Sequence, residues 1–561
     1  MKGHNMRKIR IGIAALAAAL LTGCNVNVSV TSPTEDQKTQ TAKTETTDTG
    51  KDIVIVYTND VHCGVDGDIG YSGLAAYRDE MKADGNEVLL VDDGDEIQGG
   101  VIGTLTKGEA IIEMMNDAGY DIAIPGNHDF DYGMECYLEL TKKMDFPVVC
   151  CNLYDLRTNK TVFDPYIIKE IGDKKIAFIG VTTPTTITSS TPAYFQDENK
   201  QFIYGFCQGE DGTKLYETVQ NAVDAANSEG ADYTVLIAHL GIDEDDSPYK
   251  STDVIAHTSG IDVVLDGHSH SDVEMDLVKN RDGKDVILTQ AGYKLAHIGK
   301  LTIAPDGRMK TELISDYSKK DDAVSAGIDK AEASYKEQLE KVIGKSSFDM
   351  MATKDDGETW RVRNSETNMG DFVADAYLYA TGADAAVING GGVRANIKAG
   401  DITYEDLINV NPFSNSLCIR MVSGQELADA LEYSVSAMPD DFGGFLQVSG
   451  MEFDVDPHVK SPVEIDENGM FAGFASDERR VSDITVNGEP LDLRKQYRIA
   501  SIEYILFNQG NGYTMFTGDR VDLPEYIEDI DALIDYTNSL GGKIPDGYGE
   551  TGGQGRIRIT D

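Results

Sequence analysis

Ile124–Gly133 reads IPGNHDFDYG. Directly behind a short apolar run it gathers a carboxamide, an imidazole and two carboxylates, at Asn127, His128, Asp129 and Asp131, between glycines at 126 and 133. Around it, apolar runs alternate with helical patterns: DIVIVY, SGLAAYRDEMKADG, VLLV, KGEAIIEMMNDAG, IAI and GMECYLELTKKM before FPVVCC. KIAFIGV, a helix near Lys214 to Ser228, YTVLIA, DVVLD, DVILTQ and HIGKLTI continue the series. This βαβ rhythm predicts an α/β domain with a largely parallel sheet covered by helices.

The carboxyl ends of these runs carry the chemistry. VIVYTNDVH ends in Asp60 and His62, VLLVDDGD in Asp95, and the opening stretch in Asn127, His128 and Asp131. VLIAHL carries His239, and VVLDGHSH ends in His268 and His270. In open α/β sheets the loops beyond the strand carboxyl ends form the ligand crevice, so groups hundreds of residues apart can converge there. So many nitrogen and oxygen donors at one sheet edge repel one another and resist desolvation unless cations offset them. Asp92 and Asp93 equally suit a helix N-cap. Gly126 and Gly133 are expected to permit the turns, and Asp129 is expected to be solvated or structural.

At 561 residues the chain exceeds what one hydrophobic core usually serves, and 41% hydrophobic with 26% charged residues is ordinary globular composition. Two domains are therefore expected: residues 51–318, then a linker over 319–345 that looks like one charged helix, then 346–561. At the start, Lys2, Arg7, Lys8 and Arg10 precede IGIAALAAALL, too short to span a bilayer and suited to a secretion signal over residues 1–23. Residues 24–50 are Thr-rich and polar, a tether that buries too little apolar surface to order itself. Six cysteines follow Cys24 without CxxC spacing, so no disulfide framework is expected. The formal charge of -47 disfavours nucleic-acid polymers as partners.

LTGC, Leu21 to Cys24, resembles the bacterial lipoprotein cleavage box, which implies lipidation at Cys24, export and anchoring on the outside of the cell membrane. DVH, GD, GNHDFD, AHL and GHSH, in this order, resemble the signature blocks of the calcineurin-like metallophosphoesterases. NSETNMGDFVADA, VINGGGVR, NPFSNSL and QGNGYTMF are similar to the carboxyl-terminal domain of the 5'-nucleotidase, UDP-sugar hydrolase and 2',3'-cyclic phosphodiesterase family. The likeness covers about residues 51 to 555. It implies an α/β metallophosphoesterase sandwich joined by a helix to an α+β domain.

Carried over residue by residue, the resemblance implies one divalent metal held by Asp60, His62, Asp95 and His270. A second is held by Asp95, Asn127, His239 and His268, with Asp95 bridging. Zinc, manganese, iron and cobalt all suit such mixed donors. His128 is implied to contact the phosphoryl group, and Asp131 to orient its imidazole and keep it protonated. Arg363 and Arg394 match phosphate-clamping arginines; Arg361 lies nearby, although the family's other arginine falls at Thr359. Phe413 and Asn415 match nucleobase contacts, with Phe507 the candidate opposing aromatic. Asn511 stands where the family has a ribose-binding aspartate, and Ile505 where it has its second phenylalanine.

The implied activity is hydrolysis of nucleoside 5'-monophosphates, with 2',3'-cyclic nucleotides or UDP-sugars as alternatives. The implied site lies between two domains that move about the charged linker. A rival from another class is a surface nucleotide-binding protein without turnover. The residues leave the oligomeric state undetermined.

Overall fold

The computed structural model describes residues 51–560, apart from 66, 210, 244, 245, 355, 358 and 525. The leader, the tether and Cys24 lie outside the described residues. No helix among the described residues is long and apolar enough to cross a membrane.

The first half is built on two main sheets, the sandwich that the family resemblance implied, where the strand rhythm alone suggested one largely parallel sheet. Strand Ile53–Thr58 pairs in parallel with Glu87–Asp92, which pairs in parallel with Ile122–Ala123; Ile298–Ile303 and Met309–Ile314 complete that sheet in antiparallel fashion. In the second sheet Lys174–Thr182, Tyr233–His239, Val263–Leu265 and Asp285–Ala291 run parallel, between antiparallel edges Tyr166–Ile171 and Asp272–Lys279.

Alternation explains why two sheets form. Ile53, Ile55 and Tyr57 point into a core shared with Phe178, Val235, Ile237 and Leu265 of the other sheet. Val54 and Val56 point the opposite way, toward helices Gly70–Ala83 and Glu109–Ala118. Helices Thr213–Ser228 and Ser251–His257 cover the far face of the second sheet. The result is a helix–sheet–sheet–helix sandwich, in which strands buried on both faces read as continuous apolar runs.

The linker also differs from expectation. Asp322–Ala333 and Lys336–Leu339 are two helices. Val324 and Ile328 of the former join the first domain's core, whereas in Lys336–Leu339 only Leu339 is partly buried, against the core of the second half. Without an apolar stripe to pack, the helix has little to hold it together past Ala333. Val342–Ser346 is already a strand of the second half, paired with Gly400–Thr403, so the linker ends earlier than residue 345.

The second half centres on a five-stranded sheet ordered Leu446–Ser449, Ala385–Asn389, Gln496–Ile502, Leu417–Ser423 and Arg520–Val521. Helices Asn368–Thr381 and Asp529–Ser539 pack in the same core. Thr367 Oγ1 accepts from Gly370 N at the start of the former helix, and Gly382 at φ 59° ends it.

Candidate active site

Parallel register brings the donors together. Thr58 lies opposite Asp92, and Asp92 opposite Ala123, so the loops bearing Asp60, Asp95 and Asn127 leave one sheet side by side. In the other sheet Leu265 lies opposite Ile237, which aligns His239 with the loop to His268 and His270. The seven donors expected from the sequence meet where these two edges abut.

Asp95 Oδ2 lies 3.5 Å from His62 Nε2 and 3.2 Å from His239 Nε2, between the two imidazoles. Asp60 Oδ1 is 3.5 Å from His270 Nε2 and 3.9 Å from His239 Nε2. Asn127 Oδ1 is 2.8 Å from His268 Nδ1 and 3.3 Å from His239 Nε2. Two donor groups result, Asp60 with His62 and His270, and Asp60 with Asp95 and His239. Asp60 belongs to both groups, and Asp95, to which the resemblance assigns the shared role, lies between His62 and His239.

These groups suit divalent cations. His62 Nε2 is buried and has no hydrogen-bond partner. Burial holds the His62 imidazole well below its ordinary titration range, against the pull of Asp95, which favours the neutral form that a metal requires. Burial pushes Asp60 up to about 7, while His239 opposes the shift. Burial likewise pushes Asp95 up, but His239, His128 and His62 together hold it well below the usual carboxylate range. Burial opposes charge on His239, yet Asp95 and Asp60 raise it to about 10. The buried carboxylates favour positive charge on His239 and His268, and bound divalent cations would meet the same demand.

Partners outside the donor set orient the ligands. His62 Nδ1 bonds Gln98 O at 2.8 Å, and His239 Nδ1 bonds Asp93 O at 2.8 Å. Asn59 Nδ2 donates to Asp60 Oδ2 at 2.6 Å. Asp246 lies 3.5 Å from His268 Nε2, and Tyr293 stacks on His270 with centroids 4.4 Å apart. Five of the seven donors, Asp60, His62, Asp95, His268 and His270, have φ between 43° and 78°. Non-glycine residues in that region cost about 1–2 kcal/mol each, a strain the dense packing sustains.

The opening loop divides its work further than the sequence suggested. Gly133, at φ 100°, serves a turn as expected. Gly126 serves a close approach, since a Cβ there would meet Asp95 Oδ1 at 2.2 Å. Asp129 is fully buried, so it is structural and not solvated. Its carboxylate accepts from the backbone N–H groups of Asp95 (3.0 Å), Glu96 (3.2 Å), Ile97 (3.3 Å) and Gly126 (2.7 Å), tying the two metal-ligand loops together. Asp129→Ala leaves those donors unpaired and is expected to cost about 3 kcal/mol or more. A fall in the thermal midpoint of several degrees checks this; an unchanged melt refutes it. Asp92 and Asp93 cap no helix: Asp92 accepts from Thr58 Oγ1 and Gly94 N, Asp93 is fully buried, and the next helix starts at Val101.

His128 Nδ1 bonds Asp131 Oδ2 at 2.6 Å, and Ser190 Oγ donates to Asp131 Oδ1 at 3.0 Å. The His128 ring lies 5.4 Å from His62 on one side and 6.2 Å from Phe413 on the other. The second half therefore closes over the metal cluster, and Thr104 Oγ1 donates across the boundary to Pro412 O at 2.6 Å.

Arg363 and Arg394 share the face of Trp360, at 4.8 Å and 5.8 Å from its centroid. Burial, then Arg394, lowers Arg363 to about 9, and its Nε has no partner. Two neighbouring guanidiniums held this way favour an anion. Both lie near enough to His270 for their charges to disfavour its protonation. Trp360, the chain's single tryptophan, went unnoticed as a site residue; its position in TWRVR was the available signal. Arg361 is not brought to this pair, and its guanidinium lies against Gly552.

Phe413 lies beside His128, while Phe507 lies under Arg420 and Arg520 at 4.6 Å and 4.0 Å. Asn415 is tied through its backbone to Asp529. Ile505 is fully buried, and Asn511 Oδ1 accepts from Asn389 Nδ2 at 3.0 Å.

Residues 53–272 match the calcineurin-like phosphoesterase family, and residues 342–518 match the family described as 5'-nucleotidase, C-terminal domain. The chain belongs to the 5'-nucleotidase family of phosphoesterases. Membership in this family implies divalent metal, in keeping with the donor set. A solved 5'-nucleotidase precursor from Thermus thermophilus shares the fold with a TM-score of 0.75 and 27% identity, over 91% of this chain and 99% of that one. The trifunctional nucleotide phosphoesterase protein YfkN of Bacillus subtilis is 27% identical over 88% of this chain; the match spans only 34% of that longer protein. A snake venom 5'-nucleotidase from Gloydius brevicauda is 26% identical over 88% of this chain and 87% of its own length.

Proposed function

We propose that this family member is an exported, lipid-anchored phosphohydrolase that uses two divalent ions to remove phosphate from nucleoside 5'-monophosphates. The observation that carries this reading is the meeting of three parts at one point: the seven donors around Asp95, the His128–Asp131 pair, and Arg363 with Arg394 from the second half. Export and anchoring rest on the leader and the LTGC box.

Asp60, His62, Asp95 and His270 would hold one ion, and Asp95, Asn127, His239 and His268 the other. Ions so bound activate water and offset charge on phosphoryl oxygens. Arg363 and Arg394 bind the phosphate, with Trp360 holding both guanidiniums in register. His128, its Nδ1 fixed on Asp131, presents Nε2 to donate a proton to the departing oxygen. Phe413 walls the site beside His128, excluding water and offering a face to the nucleoside.

Arg363→Ala is expected to raise KM for AMP about 10- to 100-fold, the worth of charged hydrogen bonds to phosphate, whereas Arg361→Ala stays within about threefold. Steady-state kinetics on the two variants checks the contrast; equal effects would refute it.

The Asn389–Asn511 pairing favours a second reading. A neutral side chain already engaged is a weaker ribose acceptor than a free carboxylate, which favours 2',3'-cyclic nucleotides, whose ribose hydroxyls are esterified; UDP-sugars stay an alternative through the family resemblance alone. Phosphate release from AMP, 2',3'-cyclic AMP and UDP-glucose, with manganese or zinc and again after chelation, separates the readings. Chelation is expected to stop release, and metal to restore it. AMP binding without turnover under every metal would instead favour a nucleotide-binding surface protein.

A further inference from the structure

Thr186–Ser189 is a one-turn helix of the first half, with Ser190 as its C-cap. Ser189 N and Ser190 N use the carbonyls of Thr185 and Thr186. The last carbonyls of so short a helix need partners from elsewhere. Tyr504, on the short helix Glu503–Leu506 of the second half, supplies one: its hydroxyl donates to Thr188 O at 3.1 Å, with Ser189 O at 3.4 Å. Ser190 itself is fully buried and donates to Asp131. A residue of the second half therefore holds the turn whose cap holds Asp131.

The other side of Tyr504 leads toward the nucleotide-facing loops. Its oxygen accepts from Asn511 N at 3.1 Å, and Asn511 Oδ1 accepts from Asn389 at the start of the NGGG loop that runs to Arg394. The ring packs on Gly510, where an added Cβ would lie 2.4 Å from it. Tyr194 and Tyr504 both lie near enough to Asp131 to feel its charge, but only Tyr504 comes from the second half. Gln208 Nε2 to Asn468 Oδ1, at 2.9 Å, is another bond across the same boundary.

We infer that Tyr504 is a positioning residue: through the Thr186–Ser189 turn and Ser190 it makes the alignment of Asp131 and His128 depend on the docked second half. The inference rests on the reading of His128 and Asp131 as the proton-handling pair. It assigns Tyr504 no contact with substrate. Hydrolysis is then suppressed whenever the second half is undocked, because the pair loses its orientation before any ligand leaves.

Tyr504→Phe deletes one hydroxyl and keeps the ring on Gly510. For the metal-loaded full chain the expected result is a kcat on AMP lowered about tenfold with KM within about twofold. Ser190→Ala is expected to lower kcat as well, and the double variant to fall little below the weaker single, because both act on one path. A readout independent of turnover uses histidine-labelled protein without substrate: the ring N–H signal of His128, assigned by its loss in His128→Asn, should shift or exchange faster in Tyr504→Phe. An unmoved signal, or kcat losses that multiply fully in the double variant, overturns the inference. If the wild type releases no phosphate, the proposed function fails, while the ring signal still tests Tyr504.

Discussion

Asp95→Ala is expected to abolish phosphate release and to lower the bound metal measured by elemental analysis. Asp95 Oδ2 lies within 3.5 Å of both His62 Nε2 and His239 Nε2, so one carboxylate stands between the imidazoles assigned to the two ions. Its other oxygen, Oδ1, accepts from His128 N at 2.7 Å, which links the donor cluster to the proton-handling loop. Removing it strips a buried anion from beside three imidazoles. Metal assistance supplies several kcal/mol of transition-state stabilisation, and each 1.36 kcal/mol is tenfold, so the loss should reach about a thousandfold or more. Retained metal with retained turnover would sink the two-ion reading and everything built on it. Folded state should be checked in parallel by the thermal midpoint, since the substitution also leaves the N–H of His128 unpaired.

His128→Ala should cost nearly as much by a different route. General acid–base groups are worth about 10²- to 10⁴-fold, and kcat should fall in that range. Metal content should not change, because the His128 side chain bonds Asp131 and no metal-donor atom, and the variant keeps the backbone N–H that Asp95 accepts. Asp131→Asn should give a smaller loss, since Ser190 still holds the side chain while the imidazole loses its charged partner. Metal content thus separates the two classes of variant: low with Asp95→Ala, normal with His128→Ala. Loss of metal in both would mean that His128 is a ligand and that its assigned role is wrong.

The donor set was readable because its signal is local. Each ligand follows an apolar run by one to five residues, and parallel pairing aligns such ends whatever the order of the strands. Arg363 and Arg394 were legible only through the family resemblance, and the structure brings both to the ring of Trp360. Asp129 shows where this kind of reading stopped. Nothing in HDFD distinguishes a carboxylate that meets solvent from one that accepts four backbone amides, because those amides come from residues 95 to 97 and 126.

The strand rhythm alone suggested one largely parallel sheet, and only the resemblance implied the sandwich, for a related reason. A strand buried on both faces looks the same in sequence whether helices or a second sheet cover it, and only the contact of Ile53, Ile55 and Tyr57 with the other sheet decides between them. The charged linker had a helical pattern throughout, yet its break after Ala333 depends on where the first domain's surface ends.

By itself the sequence determined the kinds of groups available and the strand ends that carry them, since composition and hydrophobic period are properties of neighbours along the chain. Which oxygen lies between which imidazoles, that Gly126 makes room for Asp95, that Phe507 lies beneath two arginines, and that Tyr504 reaches across to Thr188 were decided by tertiary structure alone. Those contacts form between segments tens to hundreds of residues apart, and their distances follow from how two sheets and two domains pack.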